Sequence, residues 1–145
     1  SDYAHHPTEI AATLSAARKI TKGRLIIVFQ SHTYSRTAEL FDGFVSAFAD
    51  SGVDKLILCP IYAARETNTY GITSEKLAGA ICEKNKSVVC TDSLEKAAEI
   101  AEAEGKDGDV IVMVSDGVLE EIPVIVVMGA GDVIKVAEIL ESNAK

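Results

Sequence analysis

The stretch L-I-I-V-F, residues 25–29, running into Q-S-H-T-Y-S-R-T, residues 30–37, decides the fold. Five consecutive apolar residues leave no polar face. As a strand they must be covered on both sides, which is the pattern of a parallel sheet between helix layers. The polar run then falls where such a strand ends and a helix begins. Outward from this point the same alternation recurs. Residues 8–21 place Ile10, Leu14, Ala17 and Ile20 near helical spacing, and Pro7 suits the first helical position, where its missing N–H would have had no partner. Arg36–Ala49 is predicted to be one helix with Leu40, Phe44, Val45 and Phe48 on a single face. Leu56–Cys59 reads as a strand, Ser74–Cys82 as a helix and Ser87–Cys90 as a strand. Asp92–Ala103 reads as a helix opened by an Asp92/Glu95 capping box. Strands are predicted at Asp109–Val114 and Val124–Met128, and a last helix at Val133–Leu140. With right-handed crossovers this is a doubly wound, three-layer α/β sandwich, Rossmann-like and mostly parallel.

The chain has 145 residues, 48% of them apolar, which fits one domain spanning residues 1–145 with its own core. No linker, repeat or low-complexity tract divides it. Its apolar runs are too short for a bilayer span, which takes about 20 residues, and no secretory signal is visible. A net charge of −8 argues against nucleic acid or an anionic membrane as partner. The charge is uneven, however. Residues 1–36 hold five basic and two acidic groups against nine and twenty in the remainder, and all three histidines lie in that first quarter. A local anion site inside an acidic protein is the reading this supports. Cys59, Cys82 and Cys90 lack C-x-x-C spacing and are expected to be structural thiols of a cytosolic protein. The start at Ser1 instead of Met is what an excised or processed domain would show.

In open α/β sheets ligands collect at the carboxyl ends of the strands. That rule selects Ser31–Arg36, Pro60–Gly71, Thr91–Ser93 and Gly129–Asp132, with Asp2–Thr8 as a fifth candidate because it feeds a helix start. In D-Y-A-H-H-P-T-E, Asp2, Tyr3, His5 and His6 precede free helix N–H groups that attract anions. Two histidines and His32 fall short of the three or four converging ligands a metal usually needs, so no metal site is expected. The plain alternative has one histidine capping the helix and the other exposed. In the second segment Arg36 can fork a carboxylate or phosphate through two parallel hydrogen bonds, and Ser35 is the expected N-cap. The third, I-Y-A-A-R-E-T-N-T-Y-G, offers Tyr62, Arg65 and Glu66 on a loop long enough to be functional. Taken alone, Arg65 and Glu66 read as a surface pair. M-G-A-G-D, residues 128–132, is a weak phosphate fingerprint that a tight turn explains. Neither a P-loop nor a G-x-S-x-G elbow occurs.

These segments, in this order, resemble the C-terminal domain of the bacterial Mur ligases, and among them the alanine-adding branch. The resemblance is carried by D-Y-A-H-H-P-T-E-I at Asp2–Ile10, F-Q-S-H-T-Y-S-R-T at Phe29–Thr37, I-Y-A-A-R-E at Ile61–Glu66, G-I-T-S at Gly71–Ser74 and M-G-A-G-D at Met128–Asp132. It implies an ATP-dependent ligase of peptidoglycan synthesis. In such a ligase MgATP phosphorylates the carboxylate of UDP-N-acetylmuramate, and the amine of L-alanine attacks the acyl phosphate. By the same resemblance this domain supplies the amino-acid site, while the missing N-terminal and central domains complete the enzyme and the central one carries the P-loop and most metal ligands. Carried onto this chain, the resemblance implies that Tyr3, His5, His32 and Arg36 line the alanine and acyl-phosphate side. Arg65 is a further substrate-binding candidate, and Asp2 faces the nucleotide ribose. Arg36 would hold negative charge, and His5 or His32 would orient the amine or take its proton. ATP and Mg are cofactors of the parent, with none expected to bind this piece tightly. The isolated chain is expected to be inactive, its setting cytoplasmic, and nucleic acid and membrane are not expected as partners.

Departures from the family pattern are Thr33 where some relatives have Arg, Ser31 where Pro is usual, and Pro60 where an acidic residue often stands. The largest is V-S-D-G-V-L-E-E-I-P, residues 114–123, an atypical insertion between two apolar runs where the family generally has one strand. Family members also have a strand just before the D-Y-x-H-H-P motif. The extra run is therefore expected to take that strand's place in the sheet, antiparallel to a neighbour. A competing reading is a non-enzymatic doubly wound module, flavodoxin-like or receiver-like, or a rebuilt scaffold without activity. Against a receiver, the strands end in Gln30 and Pro60 instead of an acidic cluster; against a flavin binder, the chain has no Trp.

Overall fold

The computed structural model describes residues 6–84, 86–106, 108–114 and 124–127. The elements are α1 (Pro7–Ile20), β1 (Leu25–Phe29), α2 (Tyr34–Glu39), α3 (Phe41–Ala49), β2 (Lys55–Leu58), α4 (Ser74–Cys82), β3 (Val88–Cys90), α5 (Leu94–Glu104), β4 (Val110–Val114) and β5 (Val124–Val127). The strands form one sheet in the order β3-β2-β1-β4-β5. β1 lies parallel to both β2 and β4, and β2 parallel to β3. β5 runs antiparallel to β4, with Val110 opposite Val127 and Met113 opposite Val124. The mostly parallel α/β sandwich therefore forms, and its one reversed strand lies at the edge.

All five residues of β1 are buried. On one face Leu25, Ile27 and Phe29 join Leu56, Leu58, Val110 and Val112 beneath α1, α3 and α4. Strand alternation turns Ile26, Val28, Ile57 and Ile111 to the other face, where α5 brings the buried Ala97 and Ala101 against β1 and β2. Phe29 anchors the first layer, its ring 5.4 Å from that of Phe44 and 5.0 Å from that of Phe48. The chain moves from β1 to β2 to β3 in one direction, then returns through α5 to place β4 on the other side of β1. The switch point, where connections leave in opposite directions, thus lies between β1 and β4. The segment Q-S-H-T-Y-S-R-T leaves β1 at that point.

Three expectations are corrected. The single helix over Arg36–Ala49 is two, jointed at Leu40, which closes α2 through its N–H to the Arg36 carbonyl and opens α3 without a side-chain cap. Two alignments compete there. α3 follows Phe44 and Phe48 onto the sheet, while α2 is held by bonds to the loop after β2. Gly43 lies close under Pro7, where a Cβ would come within 3.0 Å of its Cγ. α5 begins one residue later than the capping box implied. Ser93, not Asp92, is its N-cap, accepting the Lys96 N–H at 3.0 Å. Finally, β5 carries the chain toward the amino-terminal rim of the parallel strands, so the strand before Gly129–Asp132 does not end on the carboxyl rim as that ligand rule assumed. Residues 128–132 and the helix expected at Val133–Leu140 lie outside the described residues.

Candidate functional site

The long loop after β2 does not leave the sheet at once. Cys59 N–H donates to the Phe29 carbonyl (2.9 Å), Tyr62 N–H to Ser31 (2.8 Å) and Thr33 N–H to Tyr62 (2.8 Å), so the β1–β2 ladder continues past both strands. This isolated parallel bridge sets His32 beside Tyr62, their rings stacked at 5.5 Å with 17° between planes. Ser31 is buried, and its hydroxyl bonds that of Thr37 at 2.5 Å. A residue unusual for the motif is thereby absorbed as a hydrogen bond.

Thr33, not Ser35, caps α2. Its hydroxyl accepts the Arg36 N–H at 3.2 Å and its carbonyl accepts the Thr37 hydroxyl at 2.6 Å. It does so at φ +64°, ψ 147°, a conformation that glycine tolerates and a threonine holds only under restraint, at a cost of about 1–3 kcal/mol. The other positive-φ non-glycine among the described residues is Ala64, φ +56°, in the facing loop. Both strained residues therefore belong to this pair of loops. Ser35, freed from capping, donates its N–H (2.9 Å) and hydroxyl (2.5 Å) to the two oxygens of Glu66. Those bonds, with lesser help from the Tyr34 N–H and the neighbouring His32, hold the Glu66 carboxyl below the usual range. The expected Arg65–Glu66 surface pair does not form. Arg36 is half-buried and Arg65 exposed, and among the described residues neither guanidinium has a hydrogen bond or ion pair.

Beside this motif, Tyr34 and Ile61 border a cleft of about 560 Å³ that runs on to Asn68, Ser74, Thr91 and Cys90 at the starts of α4 and α5. Burial, against the opposing bond from Thr91, pushes the Cys59 thiol up to about 11, and burial raises Cys90 as well. Neither is a ready nucleophile. Cys82, expected to be structural like them, is exposed. Among the described residues no three His, Cys, Asp or Glu side chains converge in a way that could hold a metal ion. A larger groove of about 780 Å³ between α1 and α3 is lined largely by small residues such as Ala11, Ser15, Gly43 and Ala47.

Residues 1–117 match the family model described as "Mur ligase, glutamate ligase domain". The chain belongs to the Mur ligase family. Among curated relatives it is similar to the UDP-N-acetylmuramate--L-alanine ligase of Clostridium acetobutylicum, 44% identical over 145 residues, covering 98% of this chain and 28% of that ligase. The same-named ligase of Clostridium perfringens is 44% identical over 140 residues, with 95% and 27% covered. That of Caldicellulosiruptor saccharolyticus is 38% identical over 139 residues, with 96% and 27% covered. The chain thus spans little more than a quarter of the length of these relatives. A flavodoxin-like or receiver-like module, or a scaffold without this ancestry, is not favoured.

In this Mur ligase domain the structure brings His32, Tyr62, Ser35 and Glu66 together and places Arg36 on the first turn of α2. Arg65 sits one residue from Glu66 on the opposing loop. Asp2, Tyr3 and His5 lie outside the described residues. His6 caps α1, its Nδ1 accepting the Thr8 N–H at 3.1 Å, and it remains exposed. Glu66 is partnered by Ser35 across the loops instead of by its neighbour Arg65. The short A-A-R-E turn was the signal that this carboxylate could be folded back toward the first loop.

Proposed function

We propose that the chain is the amino-acid-side domain of an ATP-dependent ligase that joins L-alanine to UDP-N-acetylmuramate in the cytoplasm. The observation that carries this reading is the pair of loops at the switch point, which presents His32 and an Arg36 guanidinium with no protein partner among the described residues. The relatives' shared name supplies the substrates. Arg36 offers a planar fork for the alanine carboxylate or for charge developing on phosphate. His32, fixed against Tyr62, orients the alanine amine or takes its proton as the nitrogen attacks the acyl carbonyl and phosphate departs. Tyr3, His5 and Arg65 complete the substrate side, and Asp2 meets the nucleotide ribose. In this reading the cation and the nucleotide phosphates fall to the remaining ligase domains. Residues 1–145 form one domain in this reading, with 114–123 as an insertion joining β4 to the added strand β5. The family match ends at residue 117, inside that segment.

The test is a chimera in which this chain replaces the matching segment of the Clostridium acetobutylicum ligase. Alanine-dependent release of phosphate from ATP is expected from the chimera, and none from the chain alone. A folded chimera with no such activity would sink the reading.

A further inference from the structure

We propose that Glu66 is the positioning residue of this site, clamping the three residues between His32 and Arg36 so that both side chains face one bound amino acid. The identity of that ligand rests on the ligase reading; the clamp does not. Thr33, Tyr34 and Ser35 separate the two candidate side chains, and the facing loop grips this segment at both ends. At the His32 end, Thr33 N–H donates to the Tyr62 carbonyl and the His32 ring stacks on Tyr62. At the Arg36 end, both Glu66 oxygens are taken by Ser35, with the Tyr34 N–H adding to the same carboxylate.

The two grips lie four residues apart on one loop, and a turn brings the second into place. Glu66 N–H closes that turn on the Ala63 carbonyl at 2.9 Å, with Ala64 inside it at φ +56°. An extended continuation from Tyr62 would carry the carboxylate away from α2, so the strained turn is what returns it. Thr33 depends on the same restraint, since a threonine at φ +64° relaxes once its neighbours let go. The spacing between His32 and Arg36 is therefore set by the facing loop, through a carboxylate that is spent on Ser35 and not on the ligand.

Amide hydrogen exchange on the 145-residue chain reads the clamp directly. Glu66→Ala is expected to speed exchange at Ser35 and Arg36 by about tenfold or more while Ile27 and Ile57 stay unchanged. Glu66→Gln, which keeps one carbonyl oxygen for the Ser35 N–H, is expected to restore part of the protection. In the chimera, Glu66→Ala is expected to raise KM for alanine about tenfold and leave KM for ATP alone, again with partial rescue by Gln. Unchanged exchange at Ser35, or an active chimera whose Glu66→Ala form keeps the parental alanine KM, overturns the proposal. A chimera inactive before any substitution counts against the ligase reading instead, and the exchange result still decides the clamp.

Discussion

The two rims of the sheet use the same residue types to opposite ends. At the amino-terminal rim every described arginine is committed. Arg18 bonds the carbonyls of Gly52, Thr21 and Gly23 and pairs with Asp54 at 2.8 Å, tying the end of α1 to the starts of β1 and β2. Arg24 bonds the Glu104 carbonyl and the buried Asp109, which also accepts the backbone N–H groups of Arg24 and Lys106. Lys55 pairs with Glu104. At the carboxyl rim Arg36 and Arg65 have no such partner among the described residues, and the backbone carries strain at Thr33 and Ala64. The difference teaches that an arginine is structural where carbonyls and carboxylates have been built around it. Where none has been built among the described residues, as at Arg36 and Arg65, the ligand proposed above would take that place.

Substitutions on each rim should separate activity from stability. The largest effect is expected from Arg36→Ala in the chimera, a loss of alanine-dependent turnover of about a hundredfold or more with stability shifted by no more than about 0.5 kcal/mol. Steady-state kinetics and urea denaturation check the two halves, and a stability loss equal to that of an amino-rim variant would erase the contrast. The converse is Asp109→Ala, expected to cost about 3 kcal/mol while leaving turnover per folded molecule intact. Burial alone would raise the Asp109 carboxyl, but the Arg24 and Lys106 N–H bonds and the Arg24 guanidinium outweigh it and bring it below the usual range. Its stabilising contribution is therefore present above about pH 4 and is lost as the pH falls through the folded value. Urea midpoints of wild type measured down to about pH 2 should decline, and those of Asp109→Ala should decline less. The smallest effect is Ala64→Gly, expected to raise stability by about 0.5 kcal/mol because glycine accepts positive φ without a Cβ penalty. A loss in that variant would mean that the carboxyl-rim turn is not strained.

Where local chemistry governs, the sequence was a good guide. β1 and α4 begin and end where the apolar run and the helical pattern of Ser74–Cys82 place them. Where a distant segment decides, it was not. Nothing within residues 36–49 announces a joint at Leu40, because the competing pulls come from Phe29 on one side and the loop after β2 on the other. Ser35 and Thr33 are equally good capping residues by type, and only the bond from Glu66, 31 positions away, assigns Ser35 to a different task. For the site itself, His32 and Arg36 were visible as residue types in a polar run. Their spacing was not, since it depends on a ladder that continues beyond both strands.

The thiols give the fold an experimental handle. With its pKa near 11, Cys59 holds only about one part in ten thousand as thiolate at neutral pH. Cys90 is half-covered and also raised. Cys82, by contrast, is exposed at the last residue of α4, the opposite end of that helix from the loop after β2. A maleimide dye should therefore attach there first, giving an optical reporter whose linker does not crowd the loops it is meant to watch.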